Sequence, residues 1–152
     1  MQLQLNRNAT LGIGLSLITG TSFILLSFLM ATIVLSTIIT QSSKQVFFKS
    51  ENRPTAVIAN ASLIHKVPGI EIHTTNSFPS GHTATAFSLF LFCCFISAKK
   101  WIVTVGFAYA LIGGYARIYA AQHFPIDVGA GILVAYCSIL LSWVIHINYF
   151  NK

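Results

Sequence analysis

Apolar residues form four long blocks along the chain, each bounded by charged residues, polar residues or proline. The first block has its apolar part from Leu11 to Ile39 and lies within residues 8–43, which carry no charge. It exceeds the roughly 7–15 apolar residues of a cleavable signal peptide, so a retained helix is predicted. Since about 20 apolar residues span a bilayer, the pattern predicts four transmembrane helices, at about residues 9–40, 80–98, 101–121 and 126–148.

The segments between the blocks indicate how the helices are connected. Residues 41–79 are polar and contain proline, which predicts one long loop between the first two helices. Lys99-Lys100 marks a short turn, and His123-Phe124-Pro125 marks an elbow whose proline suits the first turn of a new helix. No block alternates with the period of two that is typical of a membrane barrel. Residues 1–152 are therefore predicted to form a single domain, an all-α polytopic membrane helix bundle.

Composition supports a membrane protein and excludes other classes. Hydrophobic residues make up 55% of the 152 residues, charged residues only 8%, and the mean hydropathy is +0.74. Soluble domains carry about a quarter charged residues. The net charge of +6 comes from basic residues scattered between apolar blocks, which argues against nucleic-acid binding. The three cysteines have no metal-type spacing to a histidine, and no thiol chemistry is predicted.

The basic residues also predict an orientation in the membrane. The termini and the Lys99-Lys100 turn lie on one side, and the long loop and the elbow lie on the other. Once the basic residues of the candidate site are set aside, the side of the termini carries the excess of positive charge. The positive-inside rule then places the termini in the cytoplasm and the long loop outside.

Polar side chains that are unusual at membrane depth gather on the predicted outer face. Ionisable residues in such positions mark functional sites by default. Three fixed cations, two imidazoles and one carboxylate suit a multiply charged anion, and phosphate is the obvious candidate because arginine binds its oxygens bidentately. The residues of this predicted anion pocket are Lys44, Arg53, His82, Arg117, His123 and Asp127.

The segment Pro79-Ser80-Gly81-His82 opens the predicted second helix. Proline and serine are helix-start residues, and a glycine lets the backbone approach a ligand closely. The free N–H groups of such a first turn, together with the helix dipole, bind anions. The alternative is that Pro79 and Ser80 only cap the helix.

His123 and Asp127 are four residues apart across Pro125. A carboxylate beside an imidazole fixes its tautomer and strengthens it as a nucleophile or base. The alternative is that His123 is only a polar residue at a helix interface. This is disfavoured because Asp127, Arg117 and a second histidine are predicted to lie near it. A metal site has weak support, because the histidines lack metal-type spacing and three nearby cations would repel a metal.

These residues resemble the type 2 phosphatidic acid phosphatase superfamily of membrane lipid phosphatases. That family shows three blocks: Lys followed by Arg-Pro, then Pro-Ser-Gly-His, then Ser-Arg, five residues, His, three residues and Asp. The second block is intact as Pro79-Ser80-Gly81-His82, and the third is Ala116-Arg117-IYAAQ-His123-FPI-Asp127 with both internal spacings kept. The first block is Lys44, eight residues, then Arg53-Pro54.

The resemblance implies a reaction and a role for each residue. His123 would attack phosphorus and form a phosphohistidine, Asp127 would orient it, and His82 would protonate the leaving oxygen. The phosphoryl oxygens would be held by Lys44, Arg53, Ser80, Gly81 and Arg117. No metal or other cofactor is implied.

The resemblance also implies a substrate class and a location. The substrate would be a lipid phosphate or diphosphate in the bilayer, with undecaprenyl diphosphate, phosphatidic acid, phosphatidylglycerol phosphate and lipid A phosphate as candidates. The membrane would be a bacterial inner membrane, with the site facing the periplasm or the outside.

Three features depart from the family pattern. The gap between Lys44 and Arg53 is eight residues instead of six, and Ala116 replaces the usual serine. The four predicted helices compare with six in most membrane members, as if the first two were absent, which leaves room for a homo-oligomer or for a partner that supplies the missing helices. The rival interpretation is a shortened, non-catalytic relative that binds phospholipid headgroups or a membrane partner.

Overall fold

The computed structural model describes residues 2–58, 64, 73–97 and 99–150, with side chains from residue 20 to residue 149 within these ranges. Residues 59–63 and 65–72 of the predicted loop lie outside the described residues. In the described part, all the regular secondary structure is helical. The helices are α1 (Gln2–Ser42), which continues as a π-helical segment (Ser43–Phe47), α2 (Pro54–Val57), α3 (Gly81–Ile96), α4 (Lys100–Tyr119) and α5 (Pro125–Phe150).

Three of these helices are long and apolar enough to cross a membrane. The candidate spans are Gly20–Phe47, Lys100–Tyr119 and Pro125–Tyr149, while Gly81–Ile96 is a shorter apolar helix. Large hydrophobic side chains such as Phe23, Ile112 and Leu133 are exposed on the outside of the bundle, as expected where lipid is the solvent. The predicted all-α, polytopic membrane bundle is confirmed.

The first helix is longer than predicted. It continues past residue 40 because residues 41–47 contain neither glycine nor proline, and its last turn widens so that the Phe48 N–H donates to the Ser43 carbonyl at 2.9 Å. The helix ends at Phe47, and the turn that follows contains Ser50, whose φ is 72°. Lys44 therefore lies on a helical turn and not in the long loop.

Helix α3 lies at the centre of the bundle, where it packs against α1, α4 and α5. Its buried residues are mostly small: Thr83, Ala84, Ala86, Ser88 and the larger Phe87. The neighbouring helices meet it with residues that are also small, namely Ala110 and Gly114 of α4 and Ala135 of α5. Small side chains let membrane helices approach closely, and this packing fixes where α3 begins.

Gly131 of α5 passes the start of α3 without room for a side chain. A Cβ atom there would lie 2.6 Å from the Ser80 carbonyl oxygen and 3.0 Å from Thr83 Cβ. Gly131→Ala is therefore expected to push the two helices apart, to destabilise the protein by about 1–3 kcal/mol and to lower any activity that depends on the α3 start. Thermal unfolding in detergent measures the first effect.

The matched control is Gly129→Ala, the same change one half-turn earlier on α5, where a Cβ would meet nothing within 4 Å. This variant should keep the wild-type unfolding temperature. Equal unfolding temperatures for the two variants would contradict the close approach at Gly131.

Candidate active site

Four helix ends meet at one end of the bundle: the C-terminal ends of α1 and α4 and the N-terminal ends of α3 and α5. Lys44 Nζ donates to the Asn76 carbonyl at 3.0 Å, which joins the end of α1 to the segment before α3. Arg53 Nη1 donates to the Gln122 carbonyl at 3.2 Å, and Ser80 N donates to the Asp127 carbonyl at 3.0 Å. The structure thus brings the sequence-predicted site residues to the same end of the bundle.

The Ser80 side chain caps α3. Its backbone is extended (φ −75°, ψ 108°), and its Oγ accepts from Thr83 N at 3.4 Å and from Thr83 Oγ1 at 2.9 Å. Ser80 is fully buried, and its own hydroxyl proton is left for another acceptor. The N–H groups of Gly81 and His82 lie in the first turn, where a helix offers no partner. The segment therefore caps the helix and also presents donors suited to an anion.

His123 and Asp127 are both buried, at 3% and 2% exposure. His123 Nδ1 lies 3.4 Å from Asp127 Oδ2, an ion-pair distance, and it has no hydrogen-bond partner in the described residues. The same carboxylate oxygen accepts from Ser77 Oγ and, at 2.9 Å, from Phe124 N. Because Nδ1 faces the carboxylate, Nε2 is the ring nitrogen on the other side of the imidazole, free to face a ligand.

Lys44 and Arg53 reach the same carbonyl oxygen. Lys44 Nζ lies 3.0 Å and Arg53 Nη2 3.5 Å from Asn76 O. Asn76 has a φ of 58°, a left-handed conformation that asparagine tolerates. The turn between Lys44 and Arg53 thus accommodates the eight-residue gap between them and still brings both cations to one point.

Arg53 is further held by neutral oxygens. Its Nε donates to the Thr75 carbonyl at 2.9 Å and its Nη1 to Gln122 Oε1 at 2.6 Å. Arg117, in the last turn of α4, has a buried Nε without a hydrogen-bond partner among the described residues. All the hydrogen bonds that Lys44 and Arg53 make in the described part of the chain go to amide oxygens, so their charges are not neutralised by a hydrogen-bonded carboxylate.

His82 lies on the first turn of α3 with its side chain exposed. It stands within electrostatic range of Arg117, Lys44 and Arg53. Three cations and one buried carboxylate therefore surround two imidazoles, an arrangement whose excess positive charge suits a phosphate.

Two contributing side chains were missed by the sequence analysis. Gln122 is 5% exposed and binds Arg53, and Ser77 is 1% exposed and binds Asp127. Both are close to the predicted residues, since Gln122 directly precedes His123 and Ser77 is two residues before Pro79. Their sequence position was therefore a usable signal, but their partners are 69 and 50 residues away and local patterns do not reveal such contacts.

Burial, together with the Arg53 and Lys44 charges, lowers the pKa of His123 to about 4 against the opposing effect of Asp127. His123 is therefore neutral, and able to act as a nucleophile, throughout the range above about pH 5. The acid limb of kcat/KM that reports His123 is expected well below the ordinary histidine value of about 6.5. Initial rates from pH 3.5 to 8, corrected for ionisation of the substrate phosphate, measure it.

The Arg53→Gln variant tests whether a neighbouring cation lowers the pKa of His123. Removing that cation relieves the largest charge repulsion on protonated His123, so the acid limb should move to higher pH. A wild-type limb near pH 6.5, or a downward shift in the variant, would contradict the burial and charge arrangement around His123.

The fold and the site define a polytopic membrane protein with three basic side chains, two histidines and one buried carboxylate at one end of its helix bundle. Comparison with protein families identifies the family: the family model of the PAP2 superfamily matches residues 22–150. Since this match covers most of the 152 residues, the chain belongs to the PAP2 superfamily. The resemblance noted from the sequence motifs is confirmed.

Individual relatives agree with this assignment. The chain is 37% identical over 92 residues to the bacitracin transport permease protein BcrC of Bacillus licheniformis, covering 60% of this chain and 41% of that protein. It is 28% identical over 116 residues to an undecaprenyl-diphosphatase of Sulfolobus acidocaldarius, covering 76% and 50%. It is 33% identical over 57 residues to a lipid A 4'-phosphatase of Bacteroides thetaiotaomicron, covering 38% and 25%. The chain spans half or less of the length of these three proteins.

A solved structure has the same fold. The crystal structure of Aquifex aeolicus LpxE superposes with a TM-score of 0.63 at 34% sequence identity, covering 78% of this chain and 67% of that chain.

Proposed function

We propose that this protein hydrolyses a lipid phosphate or diphosphate through a phosphohistidine intermediate and without a metal ion. The observation that carries the proposal is the buried His123–Asp127 pair with Lys44, Arg53 and Arg117 around it. Two of the relatives are named as an undecaprenyl-diphosphatase and a lipid A 4'-phosphatase, which supports the substrate class.

The first chemical step forms one bond and breaks another. Nε2 of neutral His123 attacks phosphorus, and the bond from phosphorus to the leaving-group oxygen breaks. Once the negative charge of the bound phosphate offsets the nearby cations, His82 is protonated; it gives its proton to that oxygen, and the leaving group departs as an alcohol or a phosphate monoester. Asp127 stabilises the positive charge that develops on His123, because Nδ1 lies beside its carboxylate at 3.4 Å.

The second step returns the enzyme to its starting state. Neutral His82 takes a proton from water, whose oxygen attacks phosphorus and breaks the bond to His123. Inorganic phosphate leaves. Lys44, Arg53 and Arg117 bind the phosphoryl oxygens through both steps and stabilise the charge that builds up in the transition states.

Independence from metals is supported by the donor groups that the site offers. Within the ranges that the structure describes, no three His, Cys, Asp or Glu side chains are arranged to hold a metal ion. The positive charge that a metal would supply to a phosphoryl group is provided here by the three basic side chains.

The test is release of inorganic phosphate by the purified protein in detergent with EDTA. Phosphatidic acid, phosphatidylglycerol phosphate, a lipid A phosphate and undecaprenyl diphosphate form the substrate panel. We expect release from at least one of them, with inhibition by vanadate. Headgroup binding without any release above a His123→Ala control would favour the non-catalytic interpretation.

We further propose that the site faces outward and the termini face the cytoplasm of a bacterial inner membrane. The Lys99-Lys100 turn precedes α4, at the end of the bundle opposite to the site, which agrees with the positive-inside rule. A membrane-impermeant thiol reagent should label Ser50→Cys, which lies in the exposed turn after α1, in intact cells of a strain that expresses the protein. If the reagent labels Ser50→Cys only after lysis, the site faces the cytoplasm and the proposed orientation is wrong.

A further inference from the structure

A cavity of about 390 Å³ lies beside the candidate active site, between α1, α3 and α4. Gly81 and His82 line it together with residues of all three helices. The volume falls within the range of roughly 300–1,000 Å³ that is typical of small-molecule sites. His82 thus stands between the basic side chains on one side and this cavity on the other.

The cavity lining combines apolar surface with uncharged polar groups, and His82 is its one ionisable site residue. Hydroxyl and amide groups are contributed by Ser36, Thr37, Thr40, Gln41, Thr85 and Tyr109. None of the residues that line it is Lys, Arg, Asp or Glu. The basic residues that suit a phosphate therefore lie outside this cavity.

Two of these hydroxyls are acceptors. Thr37 Oγ1 donates its proton to the Ile33 carbonyl at 2.9 Å, and Thr85 Oγ1 donates to the Gly81 carbonyl at 3.2 Å. Both side chains are exposed to the cavity, so what they offer a ligand is lone pairs. Lone pairs accept from a hydroxyl group of a ligand and repel a phosphate oxygen.

The side chains that line the cavity differ from one part of it to another. Thr40 packs at the outer end, because its Cγ2 atom lies 3.4 Å from the Cβ position of Gly81, and its buried Oγ1 has no partner among the described residues. Further along α3, the lining becomes Ala86 and Leu89. On α3, the lining is therefore polar next to His82 and apolar further from the site.

We propose that this cavity binds the leaving-group side of the substrate, and that the leaving group carries free hydroxyls, as a sugar or a glycerol does. The inference rests on the proposed phosphatase function. The oxygen that receives the proton from His82 then lies at the mouth of the cavity, with the hydroxylated group against Thr37 and Thr85. A prenyl diphosphate fits less well, because its second phosphate would meet no Lys or Arg in this cavity.

The experiment measures kcat/KM on four substrates in detergent: a lipid-linked sugar phosphate, phosphatidylglycerol phosphate, phosphatidic acid and farnesyl diphosphate. Thr37→Val and Thr85→Val remove the acceptors at nearly constant volume. Each is expected to lower kcat/KM about three- to tenfold on the hydroxylated substrates, the value of one hydrogen bond. Their values on farnesyl diphosphate should stay within about twofold. The first two substrates distinguish a sugar from a glycerol.

Thr32→Val is the matched control, because Thr32 is also on α1 and also donates to a carbonyl of its own helix, Phe28 O at 2.9 Å, but does not line the cavity. It should leave all four values unchanged. Thr37→Ser keeps the hydroxyl and should keep the wild-type preference for hydroxylated substrates. That result would show that the lower kcat/KM of Thr37→Val comes from the lost hydroxyl and not from misfolding.

The outcomes separate this inference from the proposed function. Preference for a hydroxylated substrate that is lost in Thr37→Val or Thr85→Val supports the inference. Hydrolysis with a preference for farnesyl diphosphate, or equal losses on all substrates, overturns the inference and leaves the phosphatase standing. Absence of phosphate release from every substrate overturns the proposed function, and the inference with it.

Discussion

His123→Ala is expected to lower phosphate release by at least about 10³-fold, because removing the nucleophile of an enzyme that forms a covalent intermediate costs that much or more. The neighbouring carboxylate of Asp127 is not expected to take its place, since it already accepts from Ser77 Oγ and from Phe124 N. The variant should still bind the lipid, because Lys44, Arg53 and Arg117 are unchanged. Initial rates in detergent and a vesicle-binding assay measure the two properties.

The covalent intermediate gives a second readout. With a substrate labelled in the phosphate, rapid quenching should trap label on the wild-type protein in a form that acid hydrolyses and base preserves, as for phosphohistidine. His123→Ala should trap none. His73→Ala is the control, because His73 is an exposed histidine of the loop before α3 and should give wild-type values. If label is trapped on the His123→Ala variant, a residue other than His123 is the nucleophile.

The sequence predicted the helices of the bundle because bilayer solvation imposes a simple pattern on them. Long apolar stretches between charges leave few alternatives to membrane helices, and α4 and α5 begin near the residues at which Lys99-Lys100 and Pro125 predicted them. The helix end after α1 was less predictable. Residues 41–47 were compatible with a loop or, since they lack glycine and proline, with a helix; the contact of Lys44 with Asn76, 32 residues away, favours the helical turn seen in the structure.

The site was predictable where its residues are close in sequence. His123 and Asp127 are one helical turn apart, and Ser80, Gly81 and His82 are consecutive, so local spacing was sufficient to group them. The bonds between these groups were beyond sequence reasoning. Ser80 N meets Asp127 O only because Gly131 lets α5 lie directly against the start of α3.

The Arg53–Gln122 contact also joins residues that are far apart in the sequence. It bears on position 116, where this chain has Ala116 instead of the family's usual serine. Gln122 Oε1 lies 2.6 Å from Arg53 Nη1, which fixes one guanidinium beside the elbow that carries His123. The N–H groups of Gln122 and His123 both donate to the Arg117 carbonyl, at 3.0 and 3.2 Å. The elbow is therefore held by backbone and amide contacts, and the serine hydroxyl that the family usually places at position 116 is not needed to hold it.

His82→Ala is expected to lower kcat/KM by about 10²- to 10⁴-fold on a lipid phosphate, because the leaving alkoxide is a poor leaving group unless it is protonated as it departs. The size of the loss should depend on the leaving group. With p-nitrophenyl phosphate, whose phenolate leaves without a proton, the variant should retain kcat/KM within about tenfold of wild type, because kcat/KM reports the first step and not the later attack of water. Phosphate release and nitrophenolate absorbance measure the two rates on the same preparations.

This comparison distinguishes a general acid from a group that only binds phosphate. His82 lies near Arg117, Lys44 and Arg53, so its removal could also weaken binding of the phosphoryl oxygens. Weaker binding would lower kcat/KM equally for both substrates, since both carry the same phosphoryl group. Proton donation concerns the leaving oxygen alone, which we propose to lie at the mouth of the cavity that His82 lines. Equal losses on the two substrates would therefore remove His82 from the role of acid and leave it as a phosphate ligand.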